Sequence, residues 1–226
     1  MSKNKNLSLM IAAFILMGLS TAPINALEQR QYPDIPIDEL VKETMQFAAL
    51  GTEQMNVVWY LPLEMFGAPP QPVLIIAVVK AKIISPDSYK FASEAETQRG
   101  LTVTYTNSSG KSINLVPASK NSDVDLFIKE IKPFMSQFAG KFGEGIWFFT
   151  YQNVDDAGKK IVSPYELGKL NVSFNGKSAT PQPESTIEFP LNSLFVPRIC
   201  PNGKPAHISW KYCPWDGTPL SNTIKN

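Results

Sequence analysis

Nineteen prolines and thirteen glycines are scattered along 226 residues, so no long uninterrupted helix can dominate this chain. Each proline removes a backbone donor and fixes one torsion, which suits short strands joined by turns. The apolar residues agree. Leu101 to Thr106 alternates Leu101, Val103 and Tyr105 against threonines, the period of a half-buried strand. Asn107-Ser108-Ser109-Gly110 follows as a turn, and Ile113 to Val116 returns, making a hairpin. Asn56 to Leu61, Val73 to Ile84, Ile146 to Tyr151, Leu170 to Phe174 and Ile187 to Leu191 supply further strands. Val73 to Val79 is the longest apolar run after the N-terminal segment and reads as a buried strand.

Helical spacing occurs twice. Ile37, Leu40, Val41, Thr44, Met45 and Ala48 form one stripe, predicting a helix near 37–50 with Gly51 as its stop. Val124, Phe127, Ile128, Ile131, Met135 and Phe138 form another, over 122–139. Ser122 and Asp125 have capping-box spacing there, and Pro133 should kink or divide the helix. The predicted fold is mainly β with minor α, an antiparallel β-sandwich with one or two covering helices. Residues 73–116, two strands then a polar hairpin, resemble part of an immunoglobulin-like exported module. Residues 175–186 read as a polar, proline-bearing linker.

Residues 1–26 have the layout of a secretory signal. Lys3 and Lys5 precede the uncharged run Leu7 to Gly18, and small residues lead to Ala26, the expected cleavage position. Removing them leaves 200 residues: a β-rich body over 27–196 and a C-terminal knuckle over 197–226. The formal charge moves from +1 to −1, because two lysines and no acids are lost. Both signs are dispersed, so charge offers no case for nucleic acid. No integral membrane segment is expected after cleavage. The expected location is extracytoplasmic, periplasmic or secreted.

Cys200 and Cys213 are the only cysteines. In an oxidising compartment an isolated pair is expected to form a disulfide, and closing a loop of this size stabilises by about 3 kcal/mol in chain-entropy models. Cys213-Pro214-Trp215-Asp216-Gly217-Thr218-Pro219-Leu220 resembles the knuckle of a zinc ribbon, and Cys200-Pro201-Asn202-Gly203 resembles a second. The family's second cysteine in each knuckle corresponds to Gly203 and Asp216. An alternative zinc site would therefore use Cys200, His207, Cys213 and Asp216. Oxidation would withdraw both thiolates from it.

No catalytic residue is assigned. His207 is the only histidine, and no nucleophile elbow, zinc-protease helix or phosphate-binding glycine loop is present. Glu53, Glu64, Glu94, Glu96, Asp155, Asp156 and Glu188 leave a carboxylate hydrolase acting on envelope glycan or peptide as the alternative. Trp210 and Trp215 are the candidate binding surface. The expected function is non-enzymatic binding of an envelope component or another protein, with no cofactor.

Overall fold

The computed structural model describes residues 27–50, 54–85, 87–119, 121–174 and 184–220. The signal-like segment 1–26 and most of the linker segment, 175–183, lie outside these. The protein is mainly antiparallel β structure with few helices.

Helix α1 (Ile37–Thr44) leads into β1 (Met45–Leu50), β2 (Gln54–Leu61) and the long β3 (Val73–Ser85). Then come β4 (Ser88–Phe91), α2 (Glu94–Gln98), β5 (Thr102–Asn107), β6 (Ser112–Asn114), α3 (Ser122–Phe138), β7 (Ile146–Gln152), β8 (Gly168–Ser173) and β9 (Ser185–Phe189). The chain closes with two short strands, β10 (Arg198–Ile199) and β11 (Pro205–Ala206). One sheet runs β1-β2-β3, with β7 and β4 both pairing β3; a second runs β6-β5-β8-β9. Every pairing is antiparallel.

Alternation distributes the core. Val58, Tyr60, Leu74, Ile76, Val78, Phe149 and Tyr151 of the first sheet share one cluster with Val103, Tyr105, Leu170, Val172, Ile187 and Phe189 of the second. The opposite face of the first sheet carries Val57, Trp59, Leu61, Ile75, Ala77 and Val79, and these pack with Val124, Ile131 and Met135 of α3. The first sheet is thus covered on both sides. That explains why Leu74 to Val79 is apolar without alternation, since both faces of the strand need apolar side chains. The same logic settles Ile146 to Tyr151: Phe149 joins the inter-sheet core, while Phe148 packs on the helix side.

Several expectations change. The helix predicted over 37–50 stops at Thr44, and Met45–Leu50 pairs with β2 from Met45↔Trp59 to Leu50↔Gln54. Met45 and Ala48 continue the helical stripe, yet a ladder along β2 satisfies this backbone instead. Helix α3 is continuous from Ser122 to Phe138 with Pro133 inside it, so the proline does not divide it. Its cap is Asn121, whose Oδ1 accepts from Asp123 and Val124 N–H at 3.0 and 3.3 Å, in place of the predicted Ser122–Asp125 box. A true capping box occurs instead at Ser93 and Glu96, opening α2. The 73–116 segment is divided between the sheets, β3 and β4 in the first and β5–β6 in the second.

Thr44 ends α1 and is fully buried. Its hydroxyl donates to the Leu40 carbonyl at 2.6 Å and accepts from the Trp59 indole at 3.1 Å, tying the helix end to the sheet. Thr44→Val keeps the shape but orphans the buried indole N–H. Urea denaturation should show a loss of about 1–3 kcal/mol.

Candidate functional site

The C-terminal knuckle is built from two turns that repeat one another. In the first, Cys200 N–H donates to the Lys204 carbonyl, Gly203 N–H to the Cys200 carbonyl, and Lys204 N–H to Asn202 Oδ1. In the second, Cys213 N–H donates to Thr218, Gly217 N–H to Cys213, and Thr218 N–H to Asp216 Oδ1. Gly203 and Gly217 take the left-handed conformation, φ +78° and +73°, which favours glycine. The bonding equates Asn202 with Asp216 and Gly203 with Gly217, so the first turn is shorter by one residue. The sequence match that set Gly203 opposite Asp216 is therefore out of step.

These turns bring the cysteines together. Cys200 and Cys213 are buried, unbonded and 2.7 Å apart. That separation lies between a disulfide bond of about 2.05 Å and ordinary contact. Desolvation, then the Cys213 thiol and the Asp216 charge, push the Cys200 thiol up to about 11, with Arg198 opposing. Asp216 is held below its ordinary range by the Thr218 N–H first and the Cys213 thiol second.

The alternative metal set is not assembled. Asp216 accepts from its own turn, while His207 Nδ1 meets Ser209 Oγ at 2.7 Å and its ring lies 6.1 Å from that of Trp210. Among the described residues, no three histidine, cysteine, aspartate or glutamate side chains are disposed to hold a metal ion.

Arg198, which the sequence reading passed over, fastens the knuckle. Nη1 donates to the carbonyls of Ile208 and Trp210, each at 2.9 Å, and Nη2 to Leu220 at 2.7 Å. Nε is buried without a partner. Its only forewarning was a lone cation inside the apolar run Leu194 to Cys200. Asn192 Oδ1 accepts from Ile208 N–H at 2.7 Å, and the Ile208 side chain joins the inter-sheet core. The turn at Asn192–Leu194 is in turn held by Glu43, which accepts from both Asn192 and Ser193 N–H groups and from the Ser193 hydroxyl. Glu43 too went unremarked in the sequence.

Trp210 and Trp215 do come together, their rings 6.0 Å apart and edge to face, with 39% and 47% of each residue exposed. Tyr212 is exposed nearby in sequence, and the Lys204 ammonium lies 5.1 Å from the Trp215 ring centre. Trp210 also lines a cavity of about 620 Å³ between knuckle and body, together with Tyr165, Leu167, Phe195, Arg198 and Leu220.

The carboxylates have local duties. Glu64 pairs with Lys160 at 3.1 Å, Glu188 with Lys169 at 2.8 Å, and Glu96 caps α2. Asp155 accepts from Ala157 and Lys159 N–H groups in its turn. Glu94 and Asp156 are exposed, and Glu53 lies outside the described residues. None of the six described carboxylates lines the cavity beside the knuckle. Comparison with known protein families, curated proteins and solved structures gave no match.

A thiol whose folded value is raised prefers to keep its proton, so the unfolded chain ionises first. Stability of the reduced protein is therefore complete below about pH 9 and falls as pH climbs toward about 11. Thermal melts between pH 8 and 10 should show that decline, and Cys200→Ser should lessen it. At higher pH the buried Tyr60 and Tyr151 phenols, likewise raised by burial, add a decline of their own.

Proposed function

We propose that this is an exported, non-enzymatic protein whose C-terminal knuckle presents an aromatic surface to another protein or a component of the cell envelope. The exposed, mutually packed Trp210 and Trp215 carry the reading. Two large aromatic residues left partly in water offer contact area at low conformational cost, the character of interaction surfaces. Their mounting supports the same view. Arg198 binds three carbonyls of the segment that bears them, and Asn192 and Ile208 tie that segment to the body. Among the described residues no helix is long and apolar enough to cross a membrane.

Export brings the thiols into an oxidising space, where Cys200 and Cys213 close as a disulfide. The two turns already hold them side by side, so the bond needs only a small approach. It then fastens the two turns covalently and prevents the knuckle from fraying. Mass spectrometry of protein recovered from the exported fraction should show two hydrogens fewer than after reduction. Replacing both cysteines by serine should lower stability by about 3 kcal/mol. Free thiols in exported protein would defeat this part of the reading.

Fractionation tests the whole. The processed protein should co-sediment with envelope material, and Trp210→Ala with Trp215→Ala should shift it to the soluble exported fraction while far-ultraviolet circular dichroism stays unchanged. Unprocessed protein retained in the cytosol, or an unaltered distribution of the double variant, would overturn the proposal.

A further inference from the structure

The cavity beside the knuckle has an uneven chemistry. Its walls are mostly apolar, formed by Tyr165, Leu167, Phe195, Ile208, Trp210 and Leu220. Its charged lining residues are Arg198 and Lys211, and among the described residues no acid lines it. None of the ion pairs among the described residues involves either cation. Arg198 binds only neutral carbonyls, and its buried Nε donates to nothing. A guanidinium held this way keeps its charge and leaves two of its five N–H donors unused, and an anion is what the site lacks.

The walls also say what the rest of the occupant is. A bound peptide strand draws its affinity from main-chain hydrogen bonds. Here the main-chain groups of Ile208, Trp210 and Leu220, and the Phe195 N–H, are already engaged. Ile208 N–H donates to Asn192 and its carbonyl accepts from Arg198. Trp210 N–H donates to His207, and its carbonyl also accepts from Arg198. Leu220 N–H donates to Lys211, and its carbonyl takes the remaining Arg198 bond. Phe195 N–H donates to Asn192. The remaining wall is mostly apolar side chain, which a hydrocarbon chain can cover without hydrogen bonds. The volume of about 620 Å³ falls within the usual span for small-molecule sites.

We infer that this groove binds an amphiphile with an anionic head, specifically a free long-chain carboxylate, its head at Arg198 and Lys211 and its tail along Tyr165, Leu167, Phe195 and Trp210. The inference deepens the binding function proposed above by naming a ligand class, and it rests on that reading for its biological setting only.

Titration of the purified full chain with dodecanoate below its micelle concentration, followed by tryptophan fluorescence and calorimetry, tests it. Saturable binding of one dodecanoate per chain is expected, with dodecanol and dodecyltrimethylammonium weaker by about tenfold or more, as loss of a charged hydrogen bond implies. Leu167 is exposed, so Leu167→Glu should fold normally and weaken dodecanoate by about tenfold or more through repulsion and a polar wall. Lys211→Glu should weaken it in the same direction while leaving dodecanol binding unchanged.

Equal affinity for dodecanol and dodecanoate, or unaltered binding by both variants, would overturn the proposal. So would displacement of dodecanoate by a short apolar peptide bearing a free C-terminal carboxylate, or capture by phosphatidylglycerol vesicles without affinity for the free acid. These measurements need no export, so a negative result here leaves the envelope association to be judged by fractionation alone.

Discussion

Strand β3 is the element on which the rest of the molecule depends. It pairs with β2 along one edge and with β7 and then β4 along the other, and its side chains enter both cores. Leu74, Ile75, Ile76, Ala77, Val78 and Val79 are all buried. Each larger side chain among them contributes about 1.5–3 kcal/mol on full burial. Removing one weakens either the inter-sheet core or the bed of α3, according to its parity along the strand. The two cores are coupled through one backbone.

The knuckle depends on a different principle. It has only a small cluster of its own, Cys200, Ala206 and Cys213 with Leu220 against them, too little to hold a separate fold. Arg198 ties it together from within by binding three of its own carbonyls. It is held to the body by the Ile208 N–H on Asn192 and the Ile208 side chain in the inter-sheet core. Glu43, from α1, organises the turn that carries Asn192, so the first helix of the body orients the last segment of the chain. The aromatic pair and the cavity both lie where this polar attachment meets the apolar body.

The two knuckle turns build the same backbone pattern around their cysteines. Both turns keep their backbone hydrogen bonds and their left-handed glycines. The positions beyond each cysteine, Asn202 and Asp216, direct an oxygen to the chain's own N–H groups. What the turns bring together is a pair of adjacent thiols. Such a pair can be joined covalently, but it cannot fill a tetrahedral shell.

By itself the sequence determined the character of each strand, because alternation and β-branching act locally: Thr102–Asn107, Ile146–Gln152 and the turn at Asn107 to Gly110 were all legible. It also singled out Trp210 and Trp215 as the pair to examine for an exposed patch, and both are partly exposed. Met45–Leu50 became a strand against its helical stripe, because β2 offered it a hydrogen-bonding partner that no local pattern records. The roles of Glu43 and Arg198 were likewise invisible. Glu43 reaches partners 149 and 150 residues away, and three carbonyls converge on Arg198 from a segment that only folding brings round it. Periodicity reports which way a side chain faces, whereas tertiary structure alone decides what it meets there.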